Sequence, residues 1–321
     1  MKVSIVVVSH NSLNLLKDCL DHIEKHTNCP YELIIVDNTS RDGTQKWLKS
    51  WRKLKHSQNV QQLKIIYNEK NRFWPGAVNQ GIKHSKGKYI ALVNSDVVVT
   101  VNWLPNLLKL FKELPLAAGI APLMGGIPNY SYNDQDYRTH FGELPVKYPP
   151  DKELQEFSAG FHQKYAGSYL ETKILCSACM VIKREVLPEV GGWDENFKLR
   201  GDDWEWCLRA RSFGYRIYAA VDTLVVHYGV GSIKTMKSET RKKLMDRDFN
   251  YWVNVLYKYQ NPATMPEKLL TMDQIRYQKV PFLDVSHLCP EIIQLMTWDD
   301  VFINKYPFLF SGESKIIANP N

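Results

Sequence analysis

Long hydrophobic runs are missing from this chain of 321 residues. No stretch of 18 or more apolar residues occurs, so no helix is expected to span a membrane. The opening MKVSIVVVSHNS has one lysine, a short apolar run and no small-residue cleavage site. It reads as a core strand rather than a secretory leader. Cysteine is sparse, with six residues in the chain. Only Cys176 and Cys179 have C-x-x-C spacing, and a zinc site would need a second pair. Beside the apolar run ACMVI they read as small buried residues. A reducing, cytoplasmic setting is the default expectation. The signatures G-x-x-x-x-G-K-[ST] and G-x-G-x-x-G are both absent, which removes the main support for P-loop and dinucleotide-binding readings. Charge of one sign is also modest: 41 Lys and Arg against 34 Asp and Glu, a formal +7. No nucleic-acid motif accompanies that excess, so nucleic acid is not an expected partner. The excess suits a solvated surface, a phosphate-bearing substrate or an anionic membrane surface. No internal repeat or low-complexity segment is found.

What is present is an alternation of strand and helix signals. SIVVV (4–8) is a continuous apolar run, as expected of a strand buried on both faces. Leu13, Leu16, Cys19, Leu20 and Ile23 have helical spacing. ELIIVDN (32–38) is a second strand, 42–54 a helix and LKIIY (63–67) a third strand. A helix over 76–84 is opened by Pro75 and closed by Gly87. KYIALVNSD (88–96) is a fourth strand, 103–114 a helix and AAGIAPL (117–123) a fifth strand. This series predicts an α/β fold with a mostly parallel sheet and helices on both faces. Ligands of such sheets bind outside the carboxyl ends of the strands. Three strands end in polar groups, Ser9-His10-Asn11, Asp37-Asn38 and Asn94-Ser95-Asp96, and these are expected to converge on one crevice. Residues 125–170 are rich in Tyr, Pro, Gly and Asn and read as a long loop or hairpin excursion. Beyond them, CMVIK (179–183), RIYAAV (216–221) and TLVVHY (223–228) read as strands. Helices are expected over 202–213 and 239–259.

Several clusters can carry chemistry, and each has a plain structural alternative. A carboxylate at the strand end Asn94-Ser95-Asp96 suits a divalent cation bridging a nucleotide's diphosphate; Asn, Ser and Asp are equally turn formers. Asp202 and Asp203 open a helix, where negative charge is stabilised. They serve as a cap pair, or one orients while the other acts as a general base. Trp204 and Trp206 offer stacking surface for a sugar, or core. His227 ends a strand before Gly229, Gly231 and Ser232, and a lone histidine there is more often structural. Asn79 lies within the helix that follows Gly76.

Taken in order, these segments resemble the family 2 glycosyltransferases of GT-A fold, particularly a rhamnosyltransferase-like branch. The resemblance spans about residues 3–232. VSIVVVSHNS is similar to the family's opening strand, and ELIIVDNTSRDGT to its second strand with S-x-D-G-T. NRFWPGAVNQGIKHSKGKYIALVNSD is similar to the run leading to D-x-D. GGWDENFKLRGDDWEWCLRARSFGY and VVHYGVGS resemble the acidic block and the H-x-x-G-x-S ending. The resemblance implies that Ser9, Asn11 and Asp37 hold the nucleoside, with Asn79 beside the nucleotide. It places Asn94 at the first position of D-x-D, Ser95 between, and Asp96 at the metal ligand, with His227 as a further metal or diphosphate ligand. Asp203 falls at the catalytic base and Asp202 at its acidic neighbour. The implied activity is inverting transfer of a hexosyl or deoxyhexosyl unit from a nucleotide-diphosphate sugar, assisted by Mn2+ or Mg2+. The acceptor would be a glycan or lipid-linked hydroxyl in cell-envelope polysaccharide synthesis. Two departures stand out: Asn94 replaces Asp, and Arg72 stands where Gly is usual.

The expected organisation is a glycosyltransferase domain over 1–232, with a nucleotide-binding half (1–123) and an acceptor half (124–232), then a C-terminal helical extension (233–321). A sugar nucleotidyltransferase would need a Gly-rich, Arg-containing signature after the first strand, which SHNSLNLL does not provide. A non-catalytic glycan- or nucleotide-binding relative is the alternative, and the Asn94 departure gives it weight. The basic run Lys234–Arg247 reads as a solvated helix face. Its functional alternatives are diphosphate contact or peripheral docking at the inner face of a membrane.

Overall fold

The computed structural model describes residues 2–126, 151–172, 175–229, 236–260 and 316–317. Gly231, Ser232, Lys234, residues 127–150 and most of the tail beyond 260, including Trp298, Phe302 and Phe308, lie outside them. The elements run β1 (Val3–Ser9), α1 (Leu13–His26), β2 (Tyr31–Asp37), α2 (Thr44–Trp51), β3 (Val60–Tyr67), α3 (Phe73–His84), β4 (Tyr89–Asn94), β5 (Val97–Val98), α4 (Trp103–Glu113) and β6 (Ala117–Gly126). There follow α5 (Asp151–Lys164), β7 (Tyr169–Thr172), β8 (Cys179–Lys183), a short α6 (Leu187–Val190), α7 (Asp202–Ser212), β9 (Arg216–His227), α8 (Ser238–Gln260) and β10 (Ile316–Ile317).

One sheet runs β10-β7-β9-β6-β8-β4-β1-β2-β3, with β5 paired to β9 off this path. The strands β3, β2, β1 and β4 are all parallel. β8 then runs antiparallel to both β4 and β6, while β6 and β9 are parallel. The first half is thus the parallel sheet expected from the alternation, and the second half is mixed. Because β1 pairs with β2 on one side and β4 on the other, strand order reverses at β1. The crevice of a doubly wound sheet opens at such a reversal.

β1 and β2 are buried along their whole length. Period-two geometry sends their side chains to opposite faces. Ile5, Val7, Leu33 and Ile35 pack with Leu16, Leu20 and Ile23 of α1 and Leu107 and Phe111 of α4. Val6, Val8, Ile34 and Val36 pack with Ala77, Val78 and Ile82 of α3 and with Trp206 and Ala210 of α7. Helices therefore cover both faces, each fully buried aliphatic side chain contributing about 1.5–3 kcal/mol. α3 sits so close to β1 that a Cβ at Gly81 would overlap the Val6 side chain.

Several boundaries differ from the sequence reading. α3 starts at Phe73, so Pro75 lies inside its first turn, where a missing N–H costs nothing. The segments 216–221 and 223–228 form one strand, β9. Its register against β6 shifts between Pro122 and Leu123, opposite Asp222 and Thr223. Asp222 is buried there, accepting the Gly167 N–H (2.9 Å) and the Thr223 hydroxyl (2.9 Å), which is why the apolar run is interrupted without ending the strand. Within 125–170, read as a loop, lie α5 and β7. The C-terminal segment is not purely helical, since β10 pairs antiparallel with β7. Cys176 and Cys179 are buried thiols outside any disulfide. Among the described residues no helix is long and apolar enough to cross a membrane.

Candidate active site

The three polar strand ends meet. The Asn38 N–H donates to the Ser9 carbonyl (2.7 Å), tying the end of β2 to that of β1. Ser12 lies within hydrogen-bond distance of both Ser9 (Oγ–Oγ 3.0 Å) and Ser95 (Oγ–Oγ 2.8 Å), joining β1 to the turn after β4. Asn11 adopts a left-handed conformation (φ 51°), its N–H donating to Ser40 Oγ (2.9 Å) and its Oδ1 accepting the Arg41 N–H (2.7 Å). Such strain is held by the surrounding bonds and is common at binding loops.

Asp37 is fully buried. Its Oδ2 accepts from Gln45 Nε2 (2.6 Å) and the Ser40 N–H (3.2 Å), whereas Oδ1 is buried with no partner. A buried acceptor left without a donor is rare and costly.

The Asn94-Ser95-Asp96 turn is shaped by β5. Val97 pairs with His227 in the antiparallel β5–β9 ladder, and the Tyr228 N–H donates to the Asp96 carbonyl (2.9 Å). This brings His227 Nε2 to 3.2 Å from Asp96 Oδ1, with both side chains almost completely buried. A hard cation with ligands at 2.0–2.2 Å separates neighbouring ligand atoms by about 3 Å. The pair's spacing and its carboxylate–imidazole chemistry fit one edge of such a shell. Asn94 is occupied differently. Its Oδ1 accepts the Trp74 indole N–H (2.6 Å), so the amide is pinned toward α3.

Asp202 and Asp203 open α7 after Gly201, which caps the helix at φ 90°. Asp202 is buried. Burial, then the neighbouring charge of Asp203, pushes its carboxyl well above the usual range. Asp203 is half-buried. Its Oδ2 accepts the Ser177 N–H (3.2 Å) and its Oδ1 the Trp204 N–H (2.9 Å). Burial pushes Asp203 up to about 6, a rise restrained by these two N–H groups and by the Cys176 thiol. The next residue after Ser177 is Ala178, whose carbonyl accepts the Asn94 N–H (2.7 Å). Asp203 and the β4 end are thus linked through two adjacent residues of one segment. Trp206 is core, stacked on Trp193 at 5.0 Å and bonded to the Gly191 carbonyl (3.0 Å). Trp204 is half-buried against Trp252 of α8, with ring centroids 5.3 Å apart.

The structure places Asn79 as a clamp. Its Nδ2 donates to the Trp193 carbonyl (2.7 Å) and Glu195 Oε1 (3.2 Å), and its Oδ1 accepts the Trp193 N–H (2.8 Å). The left-handed residue of this region is Phe73 (φ 57°), while Arg72 has φ −93°. The glycine-like position therefore falls at Phe73, one residue later than the sequence reading has it.

The sequence reading missed Asp248. This buried carboxylate on α8 accepts the backbone N–H groups of Lys198 (3.0 Å), Leu199 (2.6 Å) and Arg200 (3.2 Å) through Oδ2. It fixes the loop that delivers Gly201 and the start of α7.

A sheet that reverses at β1, with Asp96, His227 and Asp203 gathered at one end, defines a GT-A-type architecture. A solved mannosyltransferase from Pyrobaculum calidifontis, in complex with GDP-Man and Mn2+, has the same fold. Its TM-score is 0.55 at 17% identity, covering 83% of this chain and 66% of that one. The chain belongs to glycosyl transferase family 2, whose model matches residues 4–191, more than half of its length. It is 25% identical over 271 residues to the O-antigen biosynthesis protein RfbC of Myxococcus xanthus, covering 79% of this chain. It spans only 19% of that protein's length. It is 22% identical to glycosyltransferase AglE of Haloferax volcanii, covering 70% of this chain and 66% of AglE.

Proposed function

We propose that the chain transfers a sugar from a nucleotide-diphosphate donor to an acceptor hydroxyl, with inversion at the anomeric carbon. The observation that carries this reading is Asp203. It is held by two backbone N–H groups, raised to about 6, and joined through Ser177 and Ala178 to the strand end bearing Asp96. A carboxylate with that pKa is ionised at neutral pH yet basic enough to accept a proton. Asp203 takes the proton of the acceptor hydroxyl as its oxygen bonds to the anomeric carbon. The bond from that carbon to the diphosphate breaks on the opposite side, and the nucleoside diphosphate leaves. Ser9, Asn11 and Asp37, whose Oδ1 has no partner within the fold, would hold the nucleoside. Mn2+ or Mg2+ held by Asp96 and His227 would supply positive charge to the leaving diphosphate.

Family membership and the GDP-Man and Mn2+ of the mannosyltransferase neighbour support the donor class and the metal. The O-antigen biosynthesis relative supports a glycan or lipid-linked acceptor in envelope polysaccharide synthesis. The deciding experiment is Asp203→Asn assayed with a panel of nucleotide sugars. Transfer is expected to fall by about 10²–10⁴ while nucleoside diphosphate binding survives. Undiminished transfer by the variant rejects Asp203 as the base. A wild type that binds nucleotide but transfers no sugar is the non-catalytic reading, to which the missing charge at Asn94 gives weight.

A further inference from the structure

A second cluster of metal-ligating side chains lies away from the crevice. The crevice meets α1 at Ser12, just before its first turn, whereas His22 and His26 lie toward its other end. Ten residues of helix separate Ser12 from His22, about 15 Å. His22 and His26 are four residues apart and share one face of α1. Asp151, the first residue of α5, meets both: its Oδ1 is 3.2 Å from His22 Nε2 and 3.1 Å from His26 Nε2.

The proton inventory of this cluster is awkward without a cation. His22 Nδ1 lies 2.8 Å from the Asp18 carbonyl. A carbonyl only accepts, so Nδ1 carries a proton, and in the neutral ring Nε2 is then a bare lone pair. That lone pair points at a carboxylate oxygen. Either the ring takes a second proton or a cation lies between the two atoms.

We propose that His22, His26 and Asp151 form a site for a divalent transition metal of the zinc type, separate from the sugar-transfer centre. Tetrahedral zinc with bonds of 2.0–2.1 Å holds its ligand atoms about 3.3 Å apart. The two nitrogen–oxygen separations of 3.2 and 3.1 Å match that edge length. The donor set, two imidazoles and one carboxylate, is one zinc accepts, with water in the fourth position. The outer partners are in place. The Asp18 carbonyl fixes the His22 tautomer and Gln155 Nε2 donates to Asp151 Oδ1 (3.0 Å). Asp151 is about a third exposed, 36%, which leaves an entry path, while the imidazoles are only 12% and 15% exposed. Lys25 Nζ, 3.8 Å from the other Asp151 oxygen, is already paired with Asp21 at 2.7 Å and can stay there when metal is bound. The bound ion would fasten the start of α5 to α1.

The test is a Zn2+ titration of the full chain followed by thermal unfolding. It is run in the Asp96→Ala background so that the crevice contributes nothing. One equivalent of Zn2+ is expected to raise the unfolding temperature. Adding His22→Gln or His26→Gln to that background weakens zinc affinity by at least ~10-fold. Far-UV circular dichroism of the metal-free variants confirms that they fold. Co2+ bound to the Asp96→Ala protein gives ligand-field absorption, so the site is also read with both histidines in place. A zinc response unchanged by both histidine variants overturns the proposal. So does Asp96→Ala protein whose unfolding temperature ignores Zn2+.

Discussion

His227 Nε2 lies 3.2 Å from Asp96 Oδ1, and what holds the two together is a two-residue strand. β5 pairs Val97 with His227 and Val98 with Val226, so residues distant in the chain share one rung of a ladder. The geometry places a carboxylate and an imidazole beside the strand end where Ser12 joins Ser9 to Ser95.

If this pair holds Mn2+ or Mg2+, removing either ligand uncouples metal from nucleotide. Asp96→Ala and His227→Ala are each expected to lower the Mn2+-dependent affinity for a nucleoside diphosphate by at least ~10-fold. Calorimetric titration with and without Mn2+ checks this. Wild-type binding that is indifferent to metal would remove the metal from the mechanism.

If Asp96 and His227 hold a metal, Asn94 marks where that site is short of charge. Its Oδ1 accepts the Trp74 N–H at 2.6 Å, a bond that a carboxylate would keep. Asn94→Asp therefore adds a negative charge beside Asp96 without disturbing the indole. Mn2+ affinity is expected to rise on the order of tenfold, since carboxylate count tunes such sites. An unchanged affinity would mean that the side chain at 94 does not face the ion.

The acidity of Asp203 sets a pH profile. Transfer needs the carboxylate, so the rate is expected to fall as pH drops through about 6. The stability effect has the opposite sign. An Asp in the unfolded chain titrates near ~3.9. The folded state therefore binds the extra proton between about 4 and 6, and stability rises as pH falls through that window. Above it, ionised Asp203 weighs against the fold. Asp203→Asn is accordingly expected to lower kcat by about 10²–10⁴, while removing the Asp203 share of the acid-side gain in stability. Parallel rate and urea-unfolding measurements from pH 5 to 8, a range chosen around the value of about 6, test both signs.

Much of this was legible before the structure, for identifiable reasons. SIVVV is apolar on both faces of the pleat, and Asp37 ends β2 while Asp96 lies two residues past β4, so topology alone sends them to one edge. α5 was hidden by its surroundings. Leu154, Phe157 and Phe161 have helical spacing, with acidic residues in the first turn, but they follow a stretch rich in Tyr, Pro and Asn. β5 is too short to leave a pattern. Asp248 left no signal because its partners are the backbone N–H groups of Lys198 to Arg200, which any residue could supply.

Asp248 is a positioning residue. Asp248→Ala strands three N–H groups, a loss of about 1–3 kcal/mol for each one left unsatisfied. Asp248→Asn keeps an acceptor oxygen. We expect Asp248→Ala to lower kcat with little change in donor KM, and Asp248→Asn to recover most of the rate. Equal damage by both variants in donor KM would place Asp248 in donor binding instead.

Gly201 offers the sharpest test of how α7 is aimed, because Gly214 at the far end of the same helix supplies a control. Both are left-handed, φ 90° and 85°. Alanine therefore meets a similar backbone penalty at each, about 1–2 kcal/mol. Their surroundings differ. A Cβ at Gly201 would lie 2.9 Å from Trp252 Cδ1 and 3.0 Å from Phe197 Cε1, whereas at Gly214 nothing lies within 4 Å. Trp252 and Phe197 are both buried, so neither ring can step aside cheaply. Gly201→Ala must then displace α8 or rotate the first turn of α7, which carries Asp203. Gly214→Ala is expected to lower the urea midpoint modestly and leave kcat unchanged. Gly201→Ala is expected to lower the midpoint further and reduce kcat as well. Equal effects of the two substitutions on kcat would show that the rings around Gly201 do not set the position of Asp203.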